Sequence, residues 1–116
     1  MSSEKISLVQ RRNDAQEPRK KEVVTNVVQD LAESLLLHVG NGYDTNELPI
    51  INLRIDRQGW EPIYVINNVI KIQGRLCEKF VEPISVTAFA PVGKPGYVSF
   101  KVKFDVEPPM NTSELG

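Results

Sequence analysis

The feature that most constrains this chain is a change in the spacing of its apolar residues near Gly40. From Glu22 onward the apolar residues recur every three to four positions, which is the spacing of one face of a helix. This apolar stripe consists of Val24, Val27, Val28, Leu31 and Leu35. After residue 47 apolar and polar residues alternate instead, as they do in a strand with one buried face. The sequence therefore predicts an amphipathic helix followed by a sheet.

The helix is predicted to span residues 18–39. Pro18 suits the first turn of a helix, where its missing N–H is not needed, and Gly40 is a natural stop. Three cations follow Pro18, at the end of the helix where the helix dipole is positive: Arg19, Lys20 and Lys21. A bound anion would offset this unfavourable placement, and so would water.

Five strands are predicted after the helix. They cover residues 51–56, 63–66, 69–76, 84–89 and 97–106. Asn67 and Asn68 tolerate the backbone of a tight hairpin turn, and the other links are also short, which implies antiparallel neighbours. The predicted fold class is α+β, with one N-terminal amphipathic helix packed on a five-stranded antiparallel meander sheet or half-barrel. Residues 6–10 could add a further edge strand.

The charges are distributed unevenly along the 116 residues. Residues 1–21 carry six basic and three acidic side chains, whereas the remaining 95 carry eight basic and twelve acidic ones. We therefore divide the chain into a basic N-terminal arm (1–17), a single domain (18–107) and a polar C-terminal tail (108–116). Such an arm could bind nucleic acid or an acidic protein, or could simply keep the chain soluble.

The predicted sheet is too wide for its cover. Five strands span about 24 Å, whereas one helix is about 10 Å across. The uncovered apolar face would be buried either by curling of the sheet or by another subunit. Strand 97–106 is long and could lie at an edge, where its free backbone groups could pair with another chain. These features predict a homo-oligomer.

The composition argues against an enzyme or a metal protein. Cys77 is the only cysteine and His38 the only histidine, which rules out an intrachain disulfide and multi-histidine zinc sites. No catalytic motif surrounds either residue, so we expect no catalytic residue, no metal and no cofactor. The N-terminus lacks the apolar run of a secretory signal, and no segment is apolar enough to span a membrane. We expect an intracellular, cytoplasmic protein or part of a virion assembled there.

Basic and aromatic residues alternate with the apolar set on the predicted strands. The outer face of the sheet is expected to carry Arg54, Lys71, Arg75, Lys101 and Lys103, with Phe89 and Tyr97 as exposed rings. The arm and the start of the helix add Arg11, Arg12, Arg19, Lys20 and Lys21. Cations beside aromatic rings are what single-stranded nucleic acid requires, although solvated sheet faces often have the same composition.

Three functions remain open at the level of sequence. The first is a non-enzymatic interaction protein that assembles as a homo-oligomer. A viral or phage structural component is one form that such a protein could take. Its interface would include the long last strand, with Val98, Phe100, Val102 and Phe104. The second is a small single-stranded nucleic-acid-binding protein that uses the basic face and the arm. The third is a regulatory inhibitor of a host enzyme that binds through Trp60 and its loop.

Overall fold

A computed structural model describes residues 5–106 of the chain. The elements in chain order are helix α1 (Leu8–Gly40), strand β1 (Ile51–Arg54), a 3-10 turn (Asp56–Gln58), helices α2 (Pro62–Asn67) and α3 (Val69–Cys77), and strands β2 (Ile84–Phe89) and β3 (Tyr97–Phe104). The α+β class and the antiparallel sheet are confirmed. Within these residues the sheet has three strands and is open, so the five-stranded meander or half-barrel is wrong. The tail predicted at 108–116 lies outside the described residues.

Helix α1 begins ten residues earlier than predicted. Ser7 is its N-cap, and the Ser7 hydroxyl accepts a hydrogen bond from the backbone N–H of Gln10 at 3.1 Å. Ser7 followed three residues later by Gln10 is a capping-box pattern, which marks the start of a helix. The edge strand considered at residues 6–10 is therefore wrong, and Pro18 lies inside the helix rather than in its first turn.

Two predicted strands are helices, α2 and α3. Their buried or half-buried residues Val65, Val69, Ile72 and Leu76 follow one another at four-, three- and four-residue steps, which is helical spacing. Pro62 stands at the start of α2, where proline fits a helix well. The many β-branched side chains favour strands by propensity, but the burial of one helical stripe outweighs that weak preference. Asn68 joins the two helices and forms no hairpin turn.

Strand β3 lies in the centre of the sheet, whose order is β1-β3-β2. It pairs antiparallel with both neighbours, so that Phe100 faces Ile51 on one side and Ala88 on the other. The expectation that this long strand lies at an edge is wrong. Pairing of β3 with a strand of another chain is excluded in this fold, because both of its edges are already occupied.

The exposed edge of β2 is partly covered by α3. The side-chain oxygen of Gln73 accepts a hydrogen bond from the backbone N–H of Val86 at 2.8 Å. The Cys77 thiol donates to the carbonyl oxygen of Ile84 at 3.3 Å. Because these side chains occupy backbone groups of an edge strand, they hinder the addition of a further strand there.

One core joins all of these elements. The inward residues of the sheet pack with α2, α3 and a face of α1 that runs from Val23 to Leu35. Three strands are only about 14 Å wide, and the chain supplies helices enough to cover that width. Residues 5–106 therefore contain no wide apolar sheet face that would need a second subunit to cover it.

The turn before β3 depends on Gly96. Gly96 has φ +84°, and a Cβ at this position would overlap the carboxylate of Asp56. Its carbonyl oxygen also accepts hydrogen bonds from the backbone N–H groups of Ile55 and Asp56, at 2.8 and 3.2 Å. Gly93, in the same turn, has φ +77° but has no atom within 4 Å of the position of a Cβ.

We predict that Gly96→Ala lowers the free energy of unfolding more than Gly93→Ala. Both variants place alanine in the left-handed region, which costs about 1–2 kcal/mol. Gly96→Ala adds an overlap with the exposed Asp56 carboxylate, which would have to move away from Arg54, and the loss of that exposed ion pair lowers the free energy of unfolding a little further. Urea denaturation of both variants measures the difference, and equal losses would contradict the packing described here.

Candidate functional site

The predicted nucleic-acid-binding residues lie on separate surfaces. Arg54, Lys101 and Lys103 lie on the outer face of the sheet, where they alternate with the half-buried residues of β1 and the mostly buried residues of β3. Lys71 and Arg75 do not, because they belong to α3. Their placement on a strand is therefore wrong, although they share one face in either case, because residues i and i+4 lie on the same side of a helix and of a strand.

The cations of the outer face contact their own aromatic neighbours. The Arg54 guanidinium lies 5.9 Å from the centre of the Tyr97 ring, and Lys101 lies 6.0 Å from the centre of the Phe89 ring. Arg54 also forms an ion pair with Asp56 at 2.8 Å. Both rings are half-buried. Several charges and rings of this face are thus engaged within the sheet itself.

The ion pair shifts the ionisation of both partners. The hydrogen bond from Arg54 lowers the pKa of Asp56 below its ordinary value, against the opposing effect of desolvation. The same hydrogen bond raises the pKa of Arg54. At neutral pH the pair is therefore fully ionised.

A second basic surface lies between α1 and α3, and we call it the basic cleft. Its cations are Lys20 and Lys21 from α1 and Lys71 and Arg75 from α3, and Glu17 is the acidic residue among its described lining. The cleft has a volume of about 580 Å³. The fold thus brings together cations from the beginning and the middle of the sequence, as sequence spacing alone could not show.

Contacts between the two helices hold the basic cleft in shape. The Arg75 guanidinium donates a hydrogen bond to the Thr25 hydroxyl at 3.0 Å, which ties α3 to α1. Lys20 forms an ion pair with Glu17 at 3.5 Å. Among residues 5–106 the structure shows no ion pair for Lys21 or Lys71, so their charges are available to an outside anion.

A pair of stacked aromatic rings borders the basic cleft. Tyr64 lines it, and the Trp60 ring stacks on Tyr64 with ring centres 4.4 Å apart. Trp60 is half-buried and packs against the core, so much of its surface already serves the fold of this chain. Trp60 also lines a neighbouring hollow of about 290 Å³ that contains Arg19 and Arg57. The Arg19 guanidinium donates a hydrogen bond to the carbonyl oxygen of Gln58.

The first turns of α1 project from the core, and we call residues 8–17 the helical arm. Within this arm no residue is buried, and Leu8 is 80% exposed. Val9 and the preceding Ile6 are also exposed, and Arg11 and Arg12 follow one turn later. A helical segment with no core contact and exposed apolar side chains is suited to packing against another surface.

An apolar groove lies at the opposite end of α1. Leu36 and Val39 form one wall, Phe80 and Phe104 contribute rings, and Glu82 adds a charge. The groove has a volume of about 290 Å³, and the Leu36 side chain is 61% exposed. The sequence pattern does not reveal this groove, because Leu36 and Val39 lie outside the apolar stripe of α1 and no other spacing connects them with Phe80 and Phe104.

The interface residues predicted on β3 are mostly inside the core. Val98, Phe100 and Val102 are fully buried beneath helices of the same chain. Phe104 is half-buried and keeps a surface in the apolar groove. The predicted apolar residues of β3 therefore reach the surface only through Phe104.

His38 and Cys77 serve different parts of the structure. His38 is buried, and its Nε2 lies 2.9 Å from the carbonyl oxygen of Thr45, while the Cys77 thiol donates its hydrogen bond to the carbonyl oxygen of Ile84.

No group of three potential metal ligands occurs within residues 5–106. Nor does any helix in that range have the length and apolarity to cross a membrane. No protein-family model, curated protein or solved structure matches the chain.

We predict that Arg54→Gln raises the pKa of Asp56 toward 3.8, its ordinary value. Because that pKa is lowered in the folded state, the ionised carboxylate stabilises the fold at higher pH. The carboxylate's contribution to the free energy of unfolding is lost as the pH falls through the folded-state pKa. In the variant the free energy of unfolding should fall less over the same pH range. A carbon-13 NMR titration of the Asp56 carboxyl measures the pKa, with Lys101→Gln as the control on the same face. An unchanged pKa in Arg54→Gln would contradict the pairing.

Proposed function

We propose that this chain is a non-catalytic assembly protein whose copies join head to tail. The helical arm of one copy lies in the apolar groove of the next. The proposal rests on one observation about α1. Its first turns carry exposed apolar and basic side chains that do not pack on the core, and its last turns border an unfilled apolar groove. The assembly would form inside the cell, and a virion or phage component is one form it could take.

The arm cannot fill the groove of its own chain. Val9 and Leu36 belong to the same unbroken helix, α1. At a rise of 1.5 Å per residue they are about 40 Å apart, and a helix cannot fold back on itself. Any arm that occupies the groove must therefore come from a second copy.

The two surfaces are complementary in charge as well as in polarity. Arg11 and Arg12 follow the apolar residues of the arm. Glu82 lines the groove, and the backbone N–H of Asp105 donates to the carbonyl of Pro83 at 3.0 Å, which places Asp105 beside the same segment. Opposite charges around an apolar contact favour one orientation of binding and speed encounter.

In the head-to-tail arrangement each copy that offers its arm to the next still has a free groove, and so the assembly grows into a ring or an open chain. A reciprocal exchange of arms between two copies would instead close as a two-fold dimer. Burying one leucine or valine side chain contributes about 1.5–3 kcal/mol. Leu8 and Val9 of one copy with Leu36 and Val39 of the next can thus supply an appreciable part of the binding free energy.

We predict that Arg11→Glu with Arg12→Glu abolishes association, because it places acidic residues against Glu82 and Asp105. Glu82→Arg with Asp105→Arg should do the same. A mixture of the two double variants should assemble again, since the acidic arm of the first fits the basic groove of the second and the basic arm of the second fits the acidic groove of the first. Sedimentation velocity from about 1 to 100 µM covers association free energies of roughly 5–8 kcal/mol.

The control is Lys101→Glu with Lys103→Glu, which makes the same change of charge on the outer face of the sheet. We expect the wild-type chain and this control to form species larger than a dimer, with mass increasing with concentration. A wild-type chain that stays monomeric throughout the range would overturn the proposal. A compact dimer that does not grow, or arm and groove variants that associate like the wild type, would also overturn it.

We also predict that Leu36→Ser weakens association about tenfold or more without unfolding the chain. The side chain is mostly exposed in the monomer, so its loss leaves the core intact. Removal of an apolar group that is buried only in the assembly costs at least about 1.4 kcal/mol, which is a factor of ten in affinity. Ile70→Ser is the matched control, because Ile70 is exposed on α3 away from the groove. Equal affinities for the two variants would contradict the assigned groove.

A further inference from the structure

We propose that the basic cleft binds single-stranded nucleic acid through its phosphates, with bases placed against the neighbouring aromatic rings. The inference concerns a surface that the head-to-tail contact does not use. It does not depend on the assembly proposal and can be tested on monomeric protein.

Positive charge is concentrated in the basic cleft. The whole chain has a net charge of −1, yet the basic cleft gathers four cations and one carboxylate. The cations come from two different helices, so their convergence results from the packing of α3 on α1. A polyanion that neutralises them releases its bound counterions, and this release is the main source of nonspecific nucleic-acid affinity.

The basic surface extends beyond the basic cleft. The hollow next to the cleft holds Arg19 and Arg57 together with one carboxylate, Glu22, and the stacked pair of Trp60 and Tyr64 lies between the two depressions. Cations therefore occur on both sides of the aromatic pair. A single phosphate would use only one group of them, whereas a chain of phosphates can contact both.

The aromatic pair offers a surface on which bases can stack. Trp60 and Tyr64 are only half-buried, so part of each ring remains open to solvent beside the cations. Unpaired bases stack on such rings regardless of base type, and this stacking contributes about 1–3 kcal/mol per base. A duplex keeps its bases stacked inside and could not use the rings, which favours a single strand.

The outer face of the sheet is less suited to this role. Lys101 and Arg54 lie over the rings of Phe89 and Tyr97, and Arg54 is paired with Asp56. A nucleic acid would have to displace these contacts before it could use either the cations or the rings. Lys21 and Lys71, by contrast, form no ion pair within the described residues.

The test measures binding of a fluorescein-labelled oligothymidine of about 15 nucleotides, near the upper length that one small module covers. Fluorescence anisotropy gives the affinity at several salt concentrations. Quenching of Trp60 fluorescence, the only tryptophan in the chain, reports independently on the site. The key variant is Lys21→Gln with Lys71→Gln, which leaves the hydrogen bond between Arg75 and Thr25 in place. The control is Lys101→Gln with Lys103→Gln on the outer face.

We expect the slope of log affinity against log salt to be smaller by about 1.4 in the cleft variant, because each phosphate that is no longer neutralised reduces it by about 0.7. The control should keep both the slope and the quenching of Trp60. The proposal is overturned if the wild type does not bind, or if both variants lose affinity equally. It is likewise overturned if a duplex, or oligoglutamate of similar length, competes as well as the single strand does.

Discussion

The structure depends on the burial of one face of α1 between Val23 and Leu35. This face completes a core that the sheet, α2 and α3 could not close alone. Because the same helix continues without a break in both directions, burial of its middle sets the direction in which each end leaves the core. The arm projects from one end, and Leu36 and Val39 stand at the groove at the other. The basic cleft lies between them, where Lys20 and Lys21 meet α3.

The helix is not uniformly stable along this length. Proline has no backbone N–H to donate to the carbonyl oxygen four residues earlier. A proline in a helix interior therefore typically lowers the stability of the helix by about 3 kcal/mol. Pro18 therefore weakens α1 where the arm meets the part packed on the core. A free helical segment as short as residues 8–17 is marginal in water, so a partner that covers it would contribute much of its stability. An arm with this property links assembly to local folding.

The sequence supports the α+β class, the middle of α1 and the strands at 51–54, 84–89 and 97–104, because each follows a clear apolar period. It misleads at α2 and α3, where β-branched residues suggest strands although the buried positions have helical spacing. Because α2 and α3 are predicted as strands, Lys71 and Arg75 are placed on the wrong surface. The same error makes the predicted sheet two strands too wide, and that width was the reason to expect an oligomer. The capping pattern at Ser7 and the position of Pro62 were available signals. The convergence of Lys20 with Lys71 could not be predicted from the sequence, because it depends on how α1 and α3 pack.

Hydrogen exchange across a range of protein concentrations tests the central claim, that the arm is completed by another copy, most directly. The account predicts that backbone amides in residues 8–17 exchange rapidly in dilute solution and become protected as concentration rises. The amides of residues 80–82 and of Ile84 at the groove should gain protection over the same range, while amides between Val27 and Leu35 remain protected throughout. Arm amides that exchange at the same rate at every concentration would contradict it.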